Sequence, residues 1–332
     1  MSGAQTAMSA IEAPVEEHRA LREGCGLIDR SERGKLALTG SGSLEFLDGQ
    51  LTNELAGLRA GEGRYAAFLT PKGKMLGDVR ILALGRPGSA QPEELWLDTE
   101  RVALQALFDM IRRFKIGFDV QLHKRTLERG LLSLIGPESS TVAGAQGLAV
   151  EEHANAALEI DGTDVLAARA HEGVDLICPA DDVPALSALL LSRGAVAVSP
   201  AAVECRRIEQ GRPRYGVDMD DTTIPQEAGL NERAVSFTKG CYVGQETVAR
   251  LHYRGKPNRQ LRGLRLQRPA ETGEELHLGE RLAGRLGSTA VSPVLGPIAL
   301  ALVRREAEPG AHLRVGDGGN GAEVVALPFA RV

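Results

Sequence analysis

The chain has 332 residues, of which 43% are hydrophobic and 25% are charged, and its formal net charge is −5. This length is too great for one small core and predicts two or three packed domains. The composition is ordinary for a globular protein, and the negative charge argues against nucleic-acid binding over the whole surface.

The first part of the chain predicts short strands and helices in irregular order. Apolar or alternating segments predict strands at 34–39, 65–70, 75–84, 94–98, 118–123 and 131–135. Helical periodicity predicts helices at 44–51, with Ser43 as the N-cap, and at 102–114. Pro71, Lys72 and Gly73 predict the turn of a hairpin. The GSG at 40–42 lacks the third glycine of a dinucleotide loop, so we interpret it as a turn.

The middle of the chain continues this pattern. Strands are predicted at 165–169 and 174–177, and helices at 183–192 and 200–211. Ser199 and Pro200 are typical of a helix start, and Gly211 is typical of a helix end. Because the strands do not alternate regularly with helices, the predicted fold class is α+β rather than a doubly wound sheet.

After Pro257 the sequence changes to short strands separated by glycine-rich turns. Strands are predicted at 261–266, 276–282, 284–290, 298–303, 313–315 and 323–327. Six strands at this spacing predict a small antiparallel barrel or sandwich. We therefore expect a division into residues 1–256, an α+β region, and residues 257–332, a C-terminal β-barrel domain.

The cysteines and the N-terminal segment indicate a cytoplasmic protein. The four cysteines form no Cys-x-x-Cys pair, which is typical of a reducing compartment. The first 17 residues contain three glutamates and no lysine or arginine, so they resemble neither a signal peptide nor a transit peptide. No apolar run reaches the roughly 18 residues that span a bilayer. No local zinc or iron–sulfur motif is present, so we expect no metal site.

The segment at 237–256, FTKGCYVGQETVARLHYRGK, contains the strongest candidate for a reactive group. Cys241 lies between Gly240 and Gly244, and glycines at these places indicate a sharp turn or a close approach. Cys241 also follows Lys239 by two residues. The alternative interpretation is a small, buried, apolar cysteine.

The same segment becomes helical from Gln245. Glu246 stands four residues before Arg250, a favourable helical pairing, and Gly255 and Pro257 end the helix. The cysteine is therefore predicted just ahead of a helix N-terminus. The helix dipole and the nearby ammonium both favour a thiolate, so the thiol is predicted to be functional.

Residues 239–265 form a basic stretch. They include seven lysines and arginines against a single acidic residue, Glu246, and so carry a net charge of +6. Such a stretch is either a solvated face or a contact for an anionic ligand or partner.

The motif KGCYVGQE resembles the signature of the YgfZ family, folate-binding proteins related to the glycine-cleavage T-protein (aminomethyltransferase). Three further segments are similar to the T-protein and YgfZ families: CGLIDRSERGKLALTGSGSLEFL at 25–47, RIEQGRPRYGVDMDDTTIPQEAGL at 207–230 and SPVLGPIALALV at 292–303. The resemblance covers nearly the whole chain. It implies a ring of three subdomains around a central folate site, with two intertwined subdomains in residues 1–256.

The resemblance also implies roles for individual residues. Glu209 matches the acid that binds the pterin ring of tetrahydrofolate, and a carboxylate suits paired N–H donors. Tyr215 matches a position that packs near the folate, whereas Asp218 and Glu227 are interpreted as structural. Lys239 is predicted either to neutralise a folate carboxylate or to favour the thiolate of Cys241. The remaining motif residues are Gly240, Tyr242, Gly244, Gln245, Glu246 and Arg250.

One departure from the T-proteins bears on activity. They use an aspartate near the start of the helix after the central strand, and this place falls at Gln105, with Asp98 and Glu100 too early in the alignment. A neutral amide cannot act as a general base. T-proteins also lack the cysteine of KGC. Both differences favour YgfZ over aminomethyl transfer.

The resulting main prediction is a tetrahydrofolate-binding accessory factor for the assembly or repair of iron–sulfur enzymes, including tRNA-modifying ones. Its working thiol would be Cys241, and its partners would be iron–sulfur enzymes or assembly proteins. A classical enzyme is not expected; if the protein is enzymatic, it would be a folate-dependent one-carbon (aminomethyl) transferase. One alternative is an aminomethyltransferase of glycine cleavage. A second is a non-catalytic RNA or protein interaction module that uses the basic stretch, although Tyr242 and Tyr253 are few aromatics for base stacking.

Overall fold

The computed structural model describes residues 10–86, 89 and 91–329, so the first nine residues of the acidic N-terminal segment lie outside the described residues. In chain order the first elements are β1 (Ile11–Glu12), α1 (Val15–Glu23), β2 (Gly26–Asp29), β3 (Gly34–Thr39), α2 (Ser43–Gln50), β4 (Gly63–Leu69), β5 (Met75–Leu84), β6 (Glu94–Thr99), α3 (Leu104–Phe114), β7 (Gln121–Lys124), β8 (Arg129–Ile135), α4 (Ser139–Val142), β9 (Asn155–Ile160), β10 (Thr163–Ala170), β11 (Gly173–Pro179) and α5 (Val183–Ser192).

The remaining elements are β12 (Val196–Ala197), α6 (Pro200–Glu209), α7 (Asn231–Ala234), α8 (Gln245–Arg254), β13 (Arg259–Leu266), β14 (Glu275–Leu278), β15 (Arg281–Ser292), β16 (Gly296–Arg304), β17 (His312–Val315) and β18 (Asn320–Val325). The chain forms two compact units. The barrel unit comprises residues 1–18, 199–230 and 250–332, and the two-sheet unit comprises residues 19–198 and 231–249.

The barrel unit is built on six antiparallel strands that close on themselves. They follow the order β15-β14-β17-β18-β13-β16, β15 also pairs with β16, and β1 adds to β15 in parallel. Leu264, Leu286 and Val324 are among the residues that fill the interior. The antiparallel pairing of β15 with β16 leaves no room for a side chain at Gly284, because a Cβ there would lie 2.4 Å from the carbonyl oxygen of Leu302. The predicted antiparallel barrel is confirmed.

The two-sheet unit contains a five-stranded sheet, β4-β5-β6-β3-β7, and a six-stranded sheet, β12-β2-β8-β11-β10-β9. Its strands pair antiparallel except for β12 with β2. A shared apolar cluster joins the two sheets: Ala37, Leu82 and Trp96 come from the first, and Leu131, Ala168 and Ile177 from the second. Helix α5 packs Leu186 and Leu190 into the core of the six-stranded sheet.

A buried charged network also joins the two sheets. Arg80 on β5 is 2.7 Å from Asp98 on β6 and 2.5 Å from Asp175 on β11. Asp98 also accepts a hydrogen bond from Arg33 at 2.7 Å, and Asp175 accepts one from Ser133 at 2.6 Å. Buried carboxylates need such cationic or hydrogen-bonding partners because burial alone disfavours their charge.

The predicted α+β class is confirmed, and most local predictions hold. The hairpin turn after β4 is present, with Gly73 at φ +76° and its amide 2.9 Å from the Thr70 carbonyl. The assignment of Ser43 as an N-cap is wrong, because α2 begins at Ser43 and the capping position is Gly42. The strand predicted at 118–123 begins only at Gln121, since the amide of Phe118 closes a turn onto Lys115.

The division into domains at 1–256 and 257–332 stays a prediction. None of the helices in the described part of the chain has the length and apolar character needed to cross a membrane.

Candidate functional site

Glu209 is the last residue of α6 and lies inside the barrel unit. Its place is determined locally: the Ser199 hydroxyl accepts the Ala202 amide at the start of the helix, and Gly211 adopts φ +65° beyond its end. The Oε1 atom lies 2.7 Å from Nε2 of His18 and 2.6 Å from Oγ of Ser292. Oε2 accepts a hydrogen bond from Arg206 at 3.0 Å. The carboxylate is thus held by groups from three elements.

These partners decide the charge of Glu209. Burial by itself raises the pKa of this carboxyl, but the hydrogen bonds from His18 and Ser292, together with the Arg206 cation, outweigh it and hold the pKa at about 2. The side chain is therefore an ionised group that only accepts hydrogen bonds. Its role in binding the pterin ring stays a prediction.

The same cluster brings together three atoms of the kind that bind metals. The ligand atoms of His18, Cys205 and Glu209 all lie within 4.8 Å of one another, and all three residues are buried. Burial, and then the charge of Glu209, raises the pKa of the Cys205 thiol to about 12. The thiol is therefore protonated and contacts Oε1 at 3.8 Å. Hydrogen bonds and Arg206 account for this arrangement without an ion.

The other residues of the 207–230 segment lie in the barrel unit. Tyr215 is half-buried and forms a bridge with Met219 in the turn after α6. Asp218 accepts hydrogen bonds from Arg207 and from the backbone amide of Ser288, each at 2.8 Å. Glu227 binds Arg259 through both oxygens, at 3.0 and 2.9 Å, besides accepting the amide of Ile224. These contacts support the structural interpretation of Asp218 and Glu227.

Lys239 lies within the two-sheet unit, and its side chain is 1% exposed. Its Nζ donates to the carboxylate of Asp48 at 3.0 Å and to the carbonyl oxygens of Leu51 and Asn53 at 3.0 and 2.9 Å, and it also contacts the carbonyl of Asp48. Burial lowers the pKa of Lys239, whereas the bond to Asp48 opposes that shift. The ammonium anchors the 48–53 segment, and its roles toward folate and toward Cys241 stay predictions.

Cys241 is the exposed member of the four cysteines, and Cys25, Cys178 and Cys205 are buried. The alternative of a buried, apolar cysteine at this position is therefore wrong. Cys241 precedes the start of α8 at Gln245, as predicted.

Two neighbours of the cysteine fix the loop in the two-sheet unit. Gly244 has φ +86°, and a Cβ there would lie 2.7 Å from the carbonyl oxygen of Thr70. Tyr242 is buried, with its ring centroid 5.5 Å from the Lys239 ammonium. A Cβ at Gly240 would have no heavy atom of the described residues within 4 Å, and Glu246 and Arg250 are exposed. The structure thus places the thiol on a loop whose backbone is closely packed.

A buried acid that the sequence interpretation missed lies on β5. Oδ2 of Asp78 is 2.5 Å from the hydroxyl of Tyr65 on β4, and the Arg233 guanidinium stands 4.8 Å from the Tyr65 ring centroid. Burial raises the pKa of Asp78 to about 6; the Tyr65 hydrogen bond opposes this, and Glu100 adds to it. A carboxyl with a pKa near neutrality, buried beside a tyrosine, is a typical general acid or base.

Neither Gln105, where the family aspartate was expected, nor Asp98 resembles Asp78 in its surroundings. Gln105 is exposed on α3 and donates to Asp109 at 2.9 Å. Asp98 is buried but bound to Arg33 and Arg80, which hold its pKa at about 2 against burial. The available clue was an aspartate within the otherwise apolar start of β5, MLGDV, because a charged residue in a buried strand requires an explanation.

A closed six-stranded barrel and an α+β unit with two sheets together define the T-protein fold class. The model of the GCVT N-terminal domain family matches residues 5–239. Aminomethyltransferases of Streptomyces avermitilis and Streptomyces coelicolor are 31% and 30% identical to this chain, each over 95% of it and over 89% and 88% of their own lengths. The crystal structure of the glycine cleavage system aminomethyltransferase T of Bartonella henselae matches with a TM-score of 0.83 at 27% identity, over 95% of this chain and 89% of that one.

The chain therefore belongs to the T-protein (aminomethyltransferase) family. This membership confirms the predicted T-protein-like fold and the predicted tetrahydrofolate cofactor.

The main functional prediction, an accessory factor for iron–sulfur enzymes, is wrong. The relatives matched over nearly the whole chain are named aminomethyltransferases, so the findings favour the glycine-cleavage alternative. The neutral amide at Gln105 and the cysteine of KGC had favoured YgfZ over aminomethyl transfer. The similarity to aminomethyltransferases over nearly the whole chain outweighs these two differences.

Proposed function

We propose that the protein is a tetrahydrofolate-dependent aminomethyltransferase of the glycine-cleavage type. The observation that carries this proposal is the 31% identity to an aminomethyltransferase over 95% of the chain. The reaction transfers the one-carbon unit of an aminomethylated lipoyl carrier to tetrahydrofolate and releases ammonia. Tetrahydrofolate supplies the amine nitrogens that accept the carbon.

Asp78 is the proposed acid–base residue. A group whose pKa lies near the working pH can both take a proton from an attacking amine and return it. The Tyr65 hydroxyl fixes the orientation of the carboxyl at 2.5 Å, and Arg233 over the Tyr65 ring adds positive charge nearby. Asp98 cannot take this role, because Arg33 and Arg80 keep it ionised.

Glu209 and Tyr215 are the proposed pterin-binding residues. The support for Glu209 is its ionised, acceptor-only carboxylate in the barrel unit. The basic stretch at 239–265 is proposed as the contact for an anionic partner, and Arg250, Arg254 and Lys256 are exposed within it. An acidic carrier surface would be complementary to these side chains.

The motif KGCYVGQE supports a finer proposal, that the chain lies in the YgfZ branch of the T-protein family. Cys241 and Lys239 are proposed to assist catalysis, Cys241 through its exposed thiol and Lys239 by anchoring the motif to the 48–53 segment. We expect Cys241→Ala to lower kcat while the Kd for tetrahydrofolate stays unchanged. An unchanged kcat would remove Cys241 from the catalytic groups.

The decisive experiment measures ammonia release from an aminomethylated lipoyl carrier, with and without tetrahydrofolate. The wild type is expected to release ammonia only when tetrahydrofolate is present. Asp78→Asn is expected to reduce kcat by about 100-fold or more, the usual contribution of general acid–base catalysis. Gln105→Ala is the matched control, since the Gln105 side chain is exposed and its hydrogen bond is to Asp109 on the same helix. Tight folate binding without any ammonia release would refute the proposed activity.

A further inference from the structure

We propose that the apolar tip at the end of α3, residues 114–118, is a contact for an anionic lipid surface. Phe114, Ile116 and Phe118 are 47%, 83% and 40% exposed, and they stand within five consecutive residues. Exposed apolar side chains are normal when they are scattered singly, but a contiguous group marks a surface that contacts a partner or a membrane. The proposal concerns a further property of the protein and does not depend on aminomethyl transfer.

The apolar tip belongs to a turn whose backbone is fixed. The amide of Phe118 donates to the carbonyl of Lys115 at 3.1 Å, and Nζ of Lys115 donates to the carbonyl of Val120 at 2.9 Å. The Phe118 ring packs against the buried ring of Phe46, with 5.4 Å between the two centroids. Because these contacts hold the turn in place, the side chain of Ile116 is presented to solvent by a formed structure.

The charges beside the apolar tip complement an anionic surface. The segment 110–118, MIRRFKIGF, contains three cations and no aspartate or glutamate. Arg112 and Arg113 are exposed, and the guanidinium of Arg113 lies 5.4 Å from the centroid of the Phe114 ring. Cations next to exposed apolar side chains are typical of interfacial membrane contacts, since the apolar groups enter the acyl boundary while the charges stay at the headgroups.

Two acidic residues flank this segment, and each has a partner of its own. Asp109 is paired with an arginine of the segment at 3.9 Å, and Asp119 accepts both the amide and the hydroxyl of Ser41, at 3.0 and 2.8 Å. Lys124, which is exposed on β7, adds a further cation. Residues 105–125 thus contain five lysines and arginines against two aspartates, a net charge of +3 in a chain whose net charge is −5.

The shape of the apolar tip favours a bilayer over a protein partner. Ile116 protrudes, and a Cβ at Gly117, which has φ +95°, would have no heavy atom of the described residues within 4 Å. A protein would need a matching pocket for this convex group, whereas the acyl boundary of a bilayer accepts a protruding apolar side chain without one. A symmetric contact between two copies would place the same arginines opposite each other, which like-charge repulsion disfavours.

The test is flotation of the full-length protein with vesicles of phosphatidylcholine and phosphatidylglycerol in equal parts, compared with vesicles of phosphatidylcholine alone. The wild type is expected to float with the anionic vesicles and to stay behind with the neutral ones. Ile116→Ser is expected to lower the partition coefficient about tenfold, because one inserted apolar side chain is lost. Leu127→Ser is the matched control, since Leu127 is 87% exposed but lies outside the apolar tip.

The contribution of charge is tested by combining Arg112→Gln with Arg113→Gln. This variant is expected to partition about tenfold less or weaker still, since each cation near an anionic surface contributes a factor of about five. Arg305→Gln, on an exposed arginine of the barrel unit, is its control and should partition as the wild type does. If Ile116→Ser does not fold, the arginine variant decides the question.

Three results would overturn the proposal. The first is a wild type that does not float with the anionic vesicles, or that floats equally with the neutral ones. The second is an equal partition coefficient for Ile116→Ser and Leu127→Ser. The third is a wild-type dimer in sedimentation equilibrium that Ile116→Ser dissociates while vesicles bind neither protein, which would assign the apolar tip to a contact between copies of the chain.

Discussion

Asp78 and Asp98 lie on neighbouring strands of one sheet, and their opposite pKa shifts predict opposite effects of the same substitution. Burial raises the pKa of Asp78 from 3.8 to about 6, whereas Arg33 and Arg80 lower that of Asp98 from 3.8 to about 2 in spite of burial. A carboxyl whose pKa is raised by folding destabilises the folded protein at any pH at which the carboxyl is ionised in both the folded and the unfolded protein. A carboxyl with a lowered pKa stabilises it under the same conditions.

The magnitudes follow from about 1.4 kcal/mol for each unit of pKa. At pH 7 the ionised Asp78 costs about 3 kcal/mol of folding free energy, so Asp78→Asn should stabilise the two-sheet unit by up to that amount. The gain should fall below about 1 kcal/mol near pH 4, where the folded protein has Asp78 protonated. Asp98→Asn should destabilise by about 2 kcal/mol at pH 7, and that contribution is lost as the pH falls from 4 toward 2.

The assay is urea unfolding followed by tryptophan fluorescence at pH 7 and pH 4. The chain has one tryptophan, Trp96, which is 4% exposed on β6 and therefore reports on the two-sheet unit. The same variants are tested for ammonia release, in which Asp78→Asn should be more stable and nearly inactive. Such a loss of activity with a gain of stability is typical of a functional group in an unfavourable environment. A destabilised Asp78→Asn at pH 7 would refute the argument from burial.

Three further predictions concern packing and the thiol. Arg80→Leu should destabilise the two-sheet unit by about 3–5 kcal/mol in the same urea assay, because it removes the guanidinium that pairs with the buried carboxylates of Asp98 and Asp175; an effect below about 1 kcal/mol would contradict this. Lys239→Ala should speed hydrogen exchange in residues 48–53, whose carbonyls lose their ammonium, whereas the exposed Lys256→Ala should not. A thiol reagent should label one cysteine of the native protein, Cys241, and Cys241→Ala should abolish labelling with less than about 0.5 kcal/mol change in stability; rapid labelling of a second cysteine would show that a buried thiol is accessible.

Local chemistry in the sequence was sufficient for much of the fold. Ser199, Pro200 and Gly211 determined both ends of α6, and thereby the position of Glu209 as its last residue. The turn at Gly73 and most of the C-terminal strands were also predicted, because turn residues and alternating hydrophobicity act within a few positions. The strand predicted at 276–282 is wrong, since this segment contains the end of β14, a turn and the start of β15. The same reasoning failed at Ser43, where the helix begins one residue earlier than a serine cap requires.

The family resemblance located Glu209 and Cys241 but not the state of either group. An alignment identifies which residue stands at a position, and it does not show what surrounds the side chain. It therefore assigned the place of the family aspartate to Gln105 without showing that this side chain is exposed, and it gave no indication that Asp78 is buried beside Tyr65.

The sequence by itself determined the α+β class, most of the barrel strands, the helix that ends at Glu209 and the start of α8 after Cys241. Only the tertiary structure decided the pKa of the carboxyl groups and which side chains are engaged in hydrogen bonds. The pKa of Asp78 depends on burial and on Tyr65, that of Glu209 depends on His18 and Ser292, and Lys239 is occupied by the 48–53 segment. These partners are separated from them by 13 to 191 positions. Desolvation and long-range hydrogen bonds arise only when distant segments pack together, which no local pattern encodes.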